Sequence, residues 1–127
     1  MKVLLDTHVL LWLLAGDPML GRRARKIILD SENEIYFSAV SIAELANKHN
    51  FKPEIMPLDP AEVRSEALAA HLRELAFEGE HALKLSTLPR HHRNPFDRML
   101  IAQAQSAGMK LLSHDDYVLK YDSTLKV

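Results

Sequence analysis

Four acids in this chain stand where a carboxylate can do chemistry: Asp6, Glu44, Asp97 and Asp115. Asp6 closes the apolar run Lys2-Val3-Leu4-Leu5. Glu44 lies in Ser41-Ile42-Ala43-Glu44, just after the strand-like Glu34-Ile35-Tyr36-Phe37-Ser38. Asp97 follows Asn94-Pro95, and Asp115 follows the short apolar run Lys110-Leu111-Leu112-Ser113. Each acid thus sits at a strand end or in the first turn of a helix. In a parallel sheet, strands stop and helices start on one edge, so all four would face one crevice. Two carboxylates about 5 Å apart repel by roughly 3 kcal/mol at an effective dielectric of 20, and four acids make six such pairs. Protonation or a bound dication relieves this repulsion. An all-oxygen donor set in a chain without cysteine fits Mg²⁺ or Mn²⁺ better than zinc. Metal-bound water is a nucleophile, and the metal stabilises in-line phosphoryl displacement, so the implied chemistry is phosphodiester hydrolysis.

Each acid also has a bland explanation. Asp6 can cap a helix, and Ser41-x-x-Glu44 spells a capping box, which makes Glu44 the least secure of the four. Asp97 can complement a helix dipole, and Asp115 can cap the turn at Tyr117. The seven histidines are scattered, with His91-His92 adjacent, and the expectation is that they do not build a metal site. No Gly-x-Ser-x-Gly elbow or phosphate-cradling glycine loop is present. Two basic groups could hold a polyanion. One is Arg22, Arg23, Arg25 and Lys26, read as a solvated helix face; the other is Arg90, His91, His92 and Arg93 with Arg98, beside the acids. Lys48, four residues after Glu44, reads as its helical salt-bridge partner.

The elements that would position these groups alternate between strand and helix, which predicts an α/β fold with a mostly parallel sheet. Strands are expected at 2–5, 34–38 and 110–113, with an edge strand at 125–127. Helices are expected at 7–15, 21–29, 41 to about 50, 60–71, 80–85 and 95–107. Gly108 supplies the last one with a left-handed stop. Residues 73–77 fit either a helix continuation or a short strand. Residues 51–60, with three prolines and no periodicity, read as a loop and a place for partner contact. The helix around Leu10 to Leu14 is apolar almost all round, so it is central or covered by a partner.

At 127 residues the chain is one domain, 1–127, with 47% hydrophobic and 26% charged residues. A net charge of -1 predicts no bulk attraction to nucleic acid, so RNA binding must rest on local patches. The first residues lack a signal-peptide pattern and no run is long enough to span a membrane. The expectation is a cytoplasmic protein.

LLDTHVLLWLL, SAVSIAELANK and HHRNPFDRMLIAQA…LLSHDDYVLKY together resemble the PIN-domain ribonucleases, specifically VapC-like toxins of type II toxin–antitoxin modules. The resemblance covers nearly the whole chain. It implies a PIN-like three-layer fold, with a central, mostly parallel sheet flanked by helices. It also implies catalytic and metal-holding roles for Asp6, Glu44, Asp97 and Asp115, supported by Thr7, Ser41 and Ser113. By position, Ser113-x-Asp115 favours Asp115 over Asp116. The implied activity is a Mg²⁺- or Mn²⁺-dependent endoribonuclease acting on RNA, as a homodimer, with a cognate antitoxin that blocks the site. Asn94, often Asp in relatives, and Ala43, often Trp, depart from the pattern. Two other readings keep the residues in view. One is a catalytically inactive PIN-fold module that binds RNA or protein. The other is a phospho-receiver domain, which needs an acid at the end of a mid-chain strand, where Ser38-Ala39 stands instead.

Overall fold

A computed structural model describes all residues, 1–127. Five parallel strands form one sheet: β1 (Lys2–Leu5), β2 (Glu34–Ser38), β3 (Arg73–Leu75), β4 (Lys110–Ser113) and β5 (Thr124–Lys126), in the order β3-β2-β1-β4-β5. Six α-helices accompany it: α1 (Thr7–Ala15), α2 (Gly21–Leu29), α3 (Ala39–Phe51), α4 (Pro60–Ala69), α5 (Gly79–Lys84) and α6 (Pro95–Ala107). The three-layer α/β arrangement matches the expectation. No helix is long and apolar enough to cross a membrane.

The layers follow from strand alternation. Successive side chains of β1 point to opposite faces. Val3 and Leu5 pack with Val9 and Leu10 of α1, Ala24 of α2, and Val63 and Ala67 of α4. Leu4 packs on the other face with Leu100, Ile101 and Ala104 of α6. β1 is therefore buried on both sides, which is why it reads as a continuous apolar run rather than an alternating one.

The chain runs outward from β1 to β3, then returns to place β4 on the other side of β1. That reversal opens a crevice at the carboxyl ends of β1 and β4. The register pairs Leu5 with Leu112, so Asp6 emerges beside Ser113. The Asp6 amide still donates to the Leu112 carbonyl at 3.1 Å.

Several boundaries differ from the sequence expectation. Helix α3 begins at Ala39, with Ser38 as its N-cap, its hydroxyl accepting from the Val40 amide at 2.9 Å. Ser41 and Glu44 are thus interior helical residues, and the capping box does not form. α4 ends at Ala69, because His71 takes a positive φ of 66° that a helix cannot continue. Within residues 73–77, Arg73–Leu75 pairs with β2 as an edge strand. The last strand is Thr124–Lys126, one residue earlier than expected.

One buried polar contact ties the site-bearing helices together. The Ser38 hydroxyl donates to the Gln103 side-chain oxygen, and Gln103 Nε2 donates to the Ala76 carbonyl at 3.2 Å. Ser38 caps α3 and Gln103 lies on α6, so this amide joins β2, α3, α6 and the segment after β3. Gln103 and Ser38 are fully buried. Gln103→Met keeps the volume but leaves the Ser38 hydroxyl and the Ala76 carbonyl unpaired. It is expected to lower unfolding free energy by about 1–3 kcal/mol, read from urea denaturation.

Candidate active site

Asp6 serves two elements at once. Its Oδ1 caps α1 by accepting from the Val9 amide at 3.2 Å, and its Oδ2 accepts from the Ser113 hydroxyl at 2.6 Å. The capping role is therefore real, and it also aims the buried carboxylate at the crevice. Thr7 follows it and reaches α3: its hydroxyl donates to Glu44 Oε1 at 2.8 Å and is hydrogen-bonded to Ser41 Oγ at 2.9 Å. Glu44 Oε2 accepts from Lys48 Nζ at 2.8 Å, the expected helical pair. Glu44 is buried while the Lys48 side chain is 44% exposed, so the cation reaches in from solvent.

Asp97 enters from the start of α6. Asn94 caps that helix, its side-chain oxygen accepting from the Phe96 and Asp97 amides at 3.0 and 3.4 Å, and Pro95 takes the first position. Asp97 Oδ2 accepts from His92 Nε2 at 2.8 Å; the same nitrogen is 3.6 Å from Asp115 Oδ2. The other oxygen of Asp115 caps the turn that follows, accepting from the Tyr117 and Val118 amides at 2.8 and 3.4 Å. Asp115, not the exposed Asp116, is the acid in reach of His92.

The electrostatics connect these groups. The pKa of Asp97 is raised, first by burial, then by the negative charges of Glu44 and Asp6; the hydrogen bond and charge of His92 oppose the rise. The four acids therefore act on one crevice without forming one tight quartet. Donor atoms within 4.8 Å of one another fall into two mixed groups, His92 with Asp97 and Asp115, and Asp6 with His8 and His114; Glu44 lies outside both.

The donor chemistry fits a hard dication. The acids offer carboxylate oxygens, and Asp97 sits in a field that opposes its ionisation until positive charge arrives. Asp97 and Asp115 lie close enough to share such an ion.

Two expectations about the surrounding cations change. The histidines are not scattered with respect to the site: His8, His92 and His114 all converge on it. Spacing could not show this, because each reaches the crevice from a different element. Arg98 is not free to hold a polyanion. Its guanidinium donates to the carbonyls of Pro89, Leu85 and His92, at 2.8, 3.3 and 3.4 Å, and to the Tyr121 hydroxyl at 3.0 Å. That hydroxyl also accepts from the His91 and His92 amides, both at 3.0 Å. Arg98 and Tyr121 thus strap down the segment that presents His92 to Asp97.

A carboxylate with a raised pKa stabilises the fold when protonated, and that contribution is lost as pH rises through the raised value. In metal-free buffer, Asp97→Asn should therefore raise the melting temperature at pH 7 by a few °C, on the order expected for about 1 kcal/mol. The gain should shrink as pH falls through the raised value and be gone below the ordinary carboxylate range, as followed by circular dichroism at a series of pH values.

Comparison with known proteins meets this geometry from outside. A sequence comparison with curated proteins finds no match. Among solved structures, the fold is similar to VapBC2 from Rickettsia felis bound to a DNA fragment from its promoter. That match has a TM-score of 0.70 at 13% identity, covering 100% of this chain and 98% of that one. It is similar to DNA-bound VapBC from Salmonella typhimurium, with a TM-score of 0.69 at 15% identity over 100% and 97% of the two chains. FitAcB from Neisseria gonorrhoeae gives 0.60 at 19% identity over 98% and 95%. At these identities the likeness is one of fold. The model of the PIN domain matches residues 3–123, a span that holds β4, all of β1 but its first residue, and every acid of the crevice. By that match and by its sheet, the chain belongs to the PIN-domain family.

Proposed function

We propose that the chain is a Mg²⁺- or Mn²⁺-dependent endoribonuclease, the toxin of a type II toxin–antitoxin pair. The observation that carries the reading is Asp97. It is a carboxylate at a helix start whose pKa is raised by burial and by Asp6 and Glu44, in the crevice where β1 and β4 end. Such a group calls for a cation. Asp6, Asp97 and Asp115 hold the metal; Glu44 is a further ligand or orients the attacking water. The bound ion supplies an activated water and offsets negative charge developing on the phosphate. Ser113 and Thr7 fix the Asp6 and Glu44 carboxylates, so little reorganisation is needed on binding. Water attack on phosphorus with departure of the 3′ oxygen leaves a 5′-phosphate and a 3′-hydroxyl.

Similar solved structures carry the name VapBC, and one of them, VapBC-5 from Mycobacterium tuberculosis, is described as a member of the VapBC family of toxin–antitoxin systems, which supports a cognate antitoxin as partner here. An antitoxin Arg or Lys among the carboxylates would satisfy them as a metal does. Phe51, Ile55 and Leu58 are exposed apolar side chains at and after the end of α3, and Leu11 to Leu14 of α1 are only partly buried. These are the surfaces assigned to the antitoxin and to a second copy in a homodimer. A cytoplasmic location follows from the same reading.

One observation favours a second reading. Lys48 on Glu44 and His92 on Asp97 satisfy two acids without any metal, as a catalytically inactive PIN-fold binding module would.

Cleavage of a labelled structured RNA separates the two. The nuclease cuts with Mg²⁺ or Mn²⁺, stops with EDTA, and loses activity in Asp6→Asn and Asp97→Asn while both variants stay folded. Cuts that survive EDTA, or variants as active as the parent, contradict the assignment. A folded parent that neither cuts nor takes up divalent metal in calorimetry establishes the binding module.

A further inference from the structure

We infer that Asp6, His8 and His114 form a second cation position, one suited to a borderline divalent ion of the zinc class. It is richer in nitrogen than the group of His92, Asp97 and Asp115. Asp6 ends β1, His8 is in the first turn of α1, and His114 follows β4. The parallel pairing of Leu5 with Leu112 brings the three together, although His8 and His114 are 106 positions apart in sequence. One donor atom from each lies within 4.8 Å of the other two.

Ring geometry is an independent indication. Two imidazoles bound through nitrogen to one tetrahedral ion have ring centroids about 5 Å apart, from a metal–nitrogen distance of about 2.05 Å plus the ring radius. The His8 and His114 centroids are 5.2 Å apart, with the rings at 77°. Trp12 packs beside them, 4.6 Å from His114 and 6.1 Å from His8. Aromatic packing accounts for the rings touching one another. It does not account for their nitrogens converging on a buried carboxylate.

The donors are also free. His49, His81 and His92 each engage a ring nitrogen in a hydrogen bond within the chain; His8 and His114 do not. Each carboxylate oxygen has two acceptor sites. Asp6 spends one site of Oδ1 on the Val9 amide and one of Oδ2 on the Ser113 hydroxyl, so one remains on each. His8 is exposed, which lets its ring adjust by the roughly 1.5 Å at most that separates donors within 4.8 Å from tetrahedral spacing. Two nitrogens and one oxygen select zinc, nickel or cobalt over magnesium and leave a coordination position open to solvent. Asp6 is then the carboxylate shared between a nitrogen-rich position and the oxygen-rich one.

Trp12 is the chain's single tryptophan, so its fluorescence reports this position. Ni²⁺ is titrated into the chelator-treated full chain, with no RNA present. Saturable quenching is expected. His8→Ala, His8→Gln and His114→Ala should each weaken the midpoint by about tenfold or more. His92→Ala should leave it within about twofold, because that imidazole belongs to the other donor group, with Asp97 and Asp115. An unchanged midpoint in folded His8 and His114 variants, an equal loss in His92→Ala, or no quenching in the parent overturns the inference. None of these outcomes depends on whether the chain cleaves RNA.

Discussion

Asp97 is held where burial and two neighbouring negative charges all oppose its ionisation. That is costly for a fold to maintain, and the contacts around the crevice serve to maintain it. Ser113 and the Val9 amide fix Asp6, Thr7 and Lys48 fix Glu44, and His92 leans on Asp97. Each contact relieves part of the repulsion. None supplies the full positive charge that a dication would bring to the centre.

The same contacts are structural. Asp6 is a helix cap, Asp115 is a turn cap, and Asn94 places Asp97 by capping α6. Capping and presenting a carboxylate are compatible because a carboxylate has two oxygens. One secures the backbone and the other faces the crevice. Gln103 then fixes the distance between the helices that carry Glu44 and Asp97. Tyr121 and Arg98 fix the segment that carries His92.

Much of this arrangement was legible in the sequence. The continuous apolar run of β1, the Asn94-Pro95 start and Gly108 stop of α6, and the acids after β1 and β4 are local signals, and each appears where expected. Local signals fail where tertiary contacts decide. Ser41-x-x-Glu44 has the pattern of a cap, but Ser38 caps first because its hydroxyl is already fixed by Gln103, 65 residues away. Glu44 is thereby released to meet Thr7. Arg98 looks free in sequence, and only the folding of Tyr121 against Pro89 shows where its guanidinium goes. His8, His92 and His114 carry no shared spacing, so their convergence depends entirely on strand order.

If repulsion among Asp6, Glu44 and Asp97 is the constraint that a metal relieves, binding must stabilise the folded chain. The direct measurement is thermal unfolding of the metal-free protein across a Mn²⁺ series. An ion that binds only the folded state adds about 2.7 kcal/mol at a hundred times its dissociation constant. The account predicts a melting temperature that climbs with Mn²⁺ and an Asp97→Asn variant that loses most of the response. A melting temperature indifferent to Mn²⁺, or an equal rise in the variant, would contradict it.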